Sequence, residues 1–190
     1  MGKRRLFVGF VLLLIVVLLV ALVLYIRPAK SLDLRYSSID WKEKLLVMAE
    51  TRQPELNLSE SELNQLAKKE LNQYVTEQEL PVNVTGAEFR LNGNRLTADL
   101  NVAWGAIEAG VEAGYLMEYS SGRLLLVPET LSIRRFSFPP ANFGLEPISI
   151  DLGQYLPEVV KVKEVNFQEK ALRISFKLDW IEVARYLDLL

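Results

Sequence analysis

The sequence predicts an α+β chain: an N-terminal transmembrane helix, then helices packed on a long curved antiparallel β-sheet. Three observations carry that expectation. An uninterrupted apolar run occupies Leu6–Ile26, two segments with a period of three to four follow it, and the period then falls to two in successive hairpins. Helices first and hairpins after, without βαβ alternation, is the α+β pattern.

The run LFVGFVLLLIVVLLVALVLYI carries no charge. At about 1.5 Å per residue it spans roughly 30 Å, the hydrocarbon thickness of a bilayer. It exceeds the apolar core of a cleaved signal peptide, about 7–15 residues, and it has no polar face to mark a buried soluble helix. An uncleaved signal anchor with ends at Leu6 and Ile26 is therefore expected. Lys3, Arg4 and Arg5 precede the run. The positive-inside rule keeps such a cluster cytoplasmic and sends the C-terminal domain outside. From residue 27 onward, 19 basic residues face 24 acidic ones, a balance that argues against a nucleic-acid partner. Without the run, the apolar content of 50% falls to roughly 45%, an ordinary globular value.

The expected organisation is a cytoplasmic tail over 1–5, the anchor over 6–26, a polar stem over 27–38 and one domain over 39–190. Ser38 is placed to cap a helix from Ile39 to Arg52 with Trp41, Leu45, Met48 and Ala49 on one face, and Pro54 stops it. Leu56–Leu58 reads as a short extended piece. Ser59 and Glu62 then form a capping box for a helix whose stripe is Leu63, Leu66, Ala67, Leu71, Tyr74 and Val75, laid on a sheet.

After Pro81, Val82, Val84, Ala87, Phe89 and Leu91 read as strand, and Asn92-Gly93 signals a type I′ hairpin. Leu96 to Trp104 alternates with Thr97, Asp99, Asn101 and Ala103. Strands over 107–119 and 123–137 turn at Ser120-Ser121-Gly122. A terminal hairpin turns at Gln168-Glu169-Lys170, and Trp180–Leu190 closes as a helix capped by Asp179.

The chain contains no His and no Cys. That excludes Ser-His-Asp and Cys-His catalysis, histidine or thiolate metal sites and disulfides, so no cofactor is expected. Glu108 and Glu112, four residues apart on a strand, are roughly 13 Å apart, too wide for a glycosidase-type pair. A non-enzymatic role follows. Arg134 and Arg135 are read as adjacent strand residues on opposite faces, of which one at best lines any headgroup site. The tandem IEAG/VEAG over 107–114 lets a second surface approach at its glycines.

The strands after it are apolar on both faces and need a second cover. The cover is the Trp180–Leu190 helix or the Phe136–Leu145 segment, a lipid in an apolar groove, or a protein partner. For an acyl chain or other lipid, the candidate lining is Val111, Ala113, Tyr115, Met117, Leu124, Leu126, Leu131 and Ile133. The alternative is a scaffold that docks an envelope protein through its span or a sheet edge.

The span, LNLSESELNQLAKKEL, GRLLLVPETLSI and VVKVKEVNFQEKALRISF together resemble the YpmS-like family of Gram-positive bacteria. That resemblance implies a single-pass cell-envelope protein with an extracytoplasmic domain, and it carries over no functional residue. A helix along a curved antiparallel sheet is also similar to one half of tubular lipid-binding domains.

Overall fold

The structure is a computed structural model that describes residues 2–77, 82–156 and 158–186, with residues 2–6 and Tyr155 described by backbone alone. Helix α1 (Gly2–Ile26) contains the apolar stretch Phe7–Ile26, whose mean hydropathy of 3.5 and 20-residue length suffice to cross a membrane. The side chains of Lys3, Arg4, Arg5 and Leu6 lie outside the described residues. The rest is α+β, as the pattern predicts.

Helix α2 (Trp41–Thr51) begins two residues later than expected. Asp40, not Ser38, is its cap: one carboxylate oxygen accepts from the N–H groups of Lys42 and Glu43 at 3.0 and 3.1 Å. Leu45 and Met48 turn inward, and Arg52 ends the helix with φ +53. Strand β1 (Glu55–Ser59) leads directly into α3 (Glu60–Glu77). The capping box forms as expected: Glu62 accepts from the Ser59 N–H and hydroxyl, both at 2.9 Å, while the Glu62 N–H donates to Ser59 Oγ at 3.3 Å.

Six more strands follow: β2 (Asn83–Asn92), β3 (Arg95–Trp104), β4 (Ile107–Ser120), β5 (Arg123–Ile133), β6 (Phe136–Phe138) and β7 (Ile148–Asp151). They form one antiparallel sheet in the order β2-β3-β4-β5-β6, with β7 also on β5. The terminal hairpin, β8 (Val160–Gln168) and β9 (Ala171–Leu178), turns where expected. It does not extend this sheet, because β9 pairs with β1 to make a second sheet, β1-β9-β8. Asp179 caps α4 (Trp180–Tyr186) through the Ile181 N–H at 2.9 Å. The remainder of the expected helix, 187–190, lies outside the described residues, as does Pro81.

The second hairpin turns where expected, and the first differs in turn type. Asn92 pairs with Arg95, so the first turn's central residues are Gly93 and Asn94, and only Gly93 has positive φ (+61). Glycine at the first central position is the type II′ pattern. The double positive φ of type I′ belongs instead to Ser121 (+54) and Gly122 (+83). In β5, Pro128 opposes Tyr115 while Thr130 opposes Gly114, so Glu129 bulges out. A proline with no N–H is tolerated at such a break in the ladder.

Two apolar cores result. Leu45, Met48, Leu56, Leu58, Leu172, Ile174 and Phe176 join α2 to the β1-β9-β8 sheet. Leu91, Leu96, Met117, Leu124 and Leu126 form the second, on the larger sheet. Helix α3 packs against the sheet as expected, although none of its residues is fully buried and Tyr74 is largely exposed. It runs along the outer edge of β2, with Leu63 packed on the larger sheet's core and Leu66 on the other core.

Candidate functional site at the end of the apolar helix

The last turn of any helix leaves carbonyl oxygens without partners. At the end of α1, the Tyr25 carbonyl, and the Arg27 carbonyl just past the helix, are claimed by the segment after β5. Strand β5 stops at Ile133, and Arg134 takes the left-handed conformation (φ +57), starting a turn into β6. Arg134 Nε donates to the Tyr25 carbonyl at 2.9 Å, and its Nη2 donates to the Arg27 carbonyl at 2.6 Å. A cation here also faces the negative end of the helix dipole. Arg135 Nε donates to the Tyr25 hydroxyl at 2.9 Å, and its guanidinium lies 5.6 Å from the ring centroid. Phe136 meets the same ring edge-on at 6.1 Å. The expectation that these two arginines point to opposite faces fails because they occupy a turn, and both reach Tyr25.

The segment 27–38 is not a free polar stem. It lies across the larger sheet as a strap. Pro28 sits over Gly110, where an added Cβ would come within 3.1 Å of its Cα. The Lys30 carbonyl accepts from Asn101 Nδ2 at 2.9 Å, which satisfies a side chain only 8% exposed. Lys30 itself pairs with Glu88 at 3.2 Å. At Gly86 a Cβ would run into the Leu32 backbone, so glycine is required there for contact with the strap. The Asp33 carbonyl accepts from the Ala87 N–H at 3.2 Å, and the Ser37 N–H donates to Gln65 on α3 at 2.8 Å. Close approach at the IEAG glycine, expected from sequence, is met by Pro28.

Charges fix the strap's far end. Asp33 accepts from the Arg35 guanidinium at 2.8 Å and the Arg35 N–H at 3.0 Å, and pairs with Lys68 at 3.3 Å. Arg35 first and Lys68 second hold the Asp33 carboxyl down at about 2. At the capping box, burial pushes Glu62 up, but the Lys44 ammonium and the Ser59 donors outweigh it and leave it below the ordinary value.

Between strap and sheet lies an open groove of about 540 Å³. Arg27, Pro28, Lys30, Ser31, Thr85, Asn101, Ala106 and Glu108 are among its lining residues. None of the eight residues proposed to line an apolar site is among them. Met117, Leu124 and Leu126 belong to the closed core, with Tyr115 packed beside it. Ala113 and Leu131 are buried, and Val111 and Ile133 are half-buried. The cover over that part of the sheet comes from Ile150, Leu152, Phe167 and Leu63. It does not come from Phe136–Leu145, where Phe136 and Phe143 are exposed, nor from α4, whose buried Val183 belongs to the side of α2. Burial raises the Tyr115 phenol above its ordinary value.

Glu108 and Glu112 do not meet: Glu108 lines the groove, while Glu112 pairs with Arg90 at 3.3 Å. Among the described residues no group of three acidic side chains is placed to hold a metal. Sequence reasoning missed Asn101, Gly86 and the Tyr25 clamp. The signal for Asn101 was its presence on a polar strand face, which reads equally well as solvated; Gly86 gave only a Thr-Gly step in a strand. Compared with family models, curated proteins and solved structures, the chain matches none of them.

Proposed function

We propose that the chain is a single-pass, non-enzymatic cell-envelope protein, its N-terminus in the cytoplasm and its domain outside, that acts as a docking scaffold. The resemblance to YpmS-like proteins belongs to the same reading. What supports it is the fixed seat of the domain on its own helix. A tether that merely kept a domain near a membrane would need no arginine clamp at Tyr25 and no strap bonded along Ala87, Asn101 and Gln65. Such contacts are useful where a surface must be presented at one height and one angle.

The surface best suited to a partner is the ledge on the outer edge of β5. There β6 and β7 are short, and Phe143 and Ile148 are 56% and 47% exposed. Strands this short offer little backbone pairing, so the exposed apolar side chains beside them are what a partner would bury. The competing reading is a sheltered acyl chain; of the residues offered for it, Met117, Leu124 and Leu126 pack in the core, while Val111 and Ile133 are half-buried.

A photo-crosslinking residue at Phe143 or Ile148 in cells is expected to trap the same protein, and Phe143→Asp is expected to abolish the adduct from position 148. A probe at the exposed Arg173 on the other sheet serves as control. Adducts absent at both sites, or identical at Arg173, would defeat the scaffold reading. A C-terminal alkaline-phosphatase fusion is expected to be active. Native mass spectrometry of the purified chain tests the competing reading, which a lipid carried in stoichiometric amount would restore.

A further inference from the structure

If α1 crosses a bilayer, it also fixes which part of the domain lies at the bilayer boundary. Its apolar stretch ends at Ile26, so the boundary falls near Tyr25–Arg27. The β3–β4 turn is held at that level, because Ala106 and Glu108 share one groove with Arg27 and α1 packs against β4. The β5–β6 turn is held there by its bonds to Tyr25 and Arg27.

Two large aromatic side chains at this level stay open to the surroundings, Trp104 for most of its surface and Phe136 on the side away from Tyr25. Trp104, at the end of β3, is 70% exposed, more than any other large apolar side chain of the domain among the described residues; Phe136 is 50% exposed. The indole ring of Trp104 is of the kind that concentrates at membrane interfaces, because one part is apolar and another polar, and the phenyl ring of Phe136 adds only apolar area. The charges at the same level are one-sided. Arg27, Arg134 and Arg135 form no ion pair among the described residues, Lys30 is taken by Glu88, and the one carboxylate among the groove's lining residues is Glu108. This excess of positive charge sits on a domain that is otherwise net acidic.

We propose that this end of the domain is seated in the headgroup layer of the bilayer its own span crosses. Trp104 and Phe136 enter the interface, and Arg27 and Arg135, beside the clamping Arg134, attract anionic phosphate headgroups. The occupant of the apolar and basic patch is thus an anionic phospholipid surface. The inference rests on the reading of α1 as a span, and its test separates the two.

The full chain is reconstituted in nanodiscs of phosphatidylcholine with a minority of phosphatidylglycerol, and resistance of the reconstituted protein to alkaline extraction reports insertion. Acyl chains brominated just below the headgroup are then expected to quench a fraction of the Trp emission that is lost in Trp104→Phe, leaving Trp41 and Trp180 as the background. Spin-labelled phosphatidylglycerol is expected to be retained over phosphatidylcholine, with the preference falling about fivefold for each of Arg27→Gln and Arg135→Gln. Failure to insert overturns the span reading. Insertion with equal quenching in wild type and Trp104→Phe, or with no preference for phosphatidylglycerol in wild type, overturns the headgroup seat.

Discussion

Asp33 is where the strap leaves the sheet and meets α3, and its carboxylate joins Arg35 of the strap to Lys68 of the helix. Its carboxyl is held at about 2 in the folded chain, against about 3.9 when free. A depressed carboxylate contributes stability that is fully present above about pH 4 and is lost as pH falls toward 2. Exchange protection of the Ala87 amide, bonded to the Asp33 carbonyl, is therefore expected to be flat from neutral pH to about 4, then to fall. In Asp33→Asn that acid-dependent loss disappears; an unchanged profile would separate the strap from this charge. Gly86 tests the same strap by shape. Gly86→Ala pushes a methyl into the Leu32 backbone, and overpacking of this kind costs about 1–3 kcal/mol. The expected result is faster tryptic cleavage at Lys30 along with a lowered urea midpoint. Glu62 is a third case, since its carboxylate serves both the Ser59 cap and the Lys44 pair between α3 and α2. Glu62→Ala is expected to cost about 1 kcal/mol in the same denaturation experiment.

At the scale of elements, the outer edge of β2 explains the placement of α3. Three alternate residues, Ala87, Phe89 and Leu91, turn their N–H groups away from β3. The Asp33 carbonyl accepts the first, Asn64 Oδ1 the second and Glu60 Oε2 the third, the last two at 2.8 Å. Strap and helix together seal an edge that would otherwise invite strand addition. Asn64→Ala leaves the Phe89 N–H without its partner, at a cost of about 1–3 kcal/mol. Faster exchange at Phe89 than at Leu91 in that variant is the expected sign; equal rates would mean that the edge is held by something else. Much at this scale was legible from sequence. The capping box, the Asp179 cap and the strand limits of β3, β4, β8 and β9 follow from local spacing of polar and apolar residues. The pairing of β1 with β9 was not legible, because partners more than a hundred residues apart leave no local mark. The helix stripe of α3 was legible, but not that it seals an edge, since half-buried and buried leucines have the same spacing. What the candidate lining faces was not legible for a related reason: residues that alternate on a strand identify one face, not whether that face meets a ligand or another part of the chain.

At the scale of the whole molecule, two sheets with separate cores raise the question of whether they fold as one unit. Leu152 and Phe167 pack against both cores, Phe167 from β8 and Leu152 from the turn after β7. The backbone adds two ties at the same junction: the Gly93 N–H donates to the Glu169 carbonyl at 3.3 Å, and the Glu60 N–H to the Lys170 carbonyl at 2.9 Å. The β8–β9 turn thus touches both the β2–β3 turn and the start of α3. If the junction couples the cores, truncating it should split unfolding, whereas a cavity inside one core should only lower stability. Met117→Ala removes a side chain 2% exposed from the larger sheet's core and is expected to cost about 2–5 kcal/mol with a single transition retained. Phe167→Ala, at a half-buried site, is expected to cost about 2 kcal/mol or more and to broaden or divide the calorimetric transition of the full chain in detergent micelles. A single sharp transition in Phe167→Ala would assign the coupling to the backbone ties and α3 instead. Coupling also bears on the scaffold reading, because a ledge on β5 keeps a fixed angle to the membrane only if the sheet that carries it cannot loosen independently of strap and clamp.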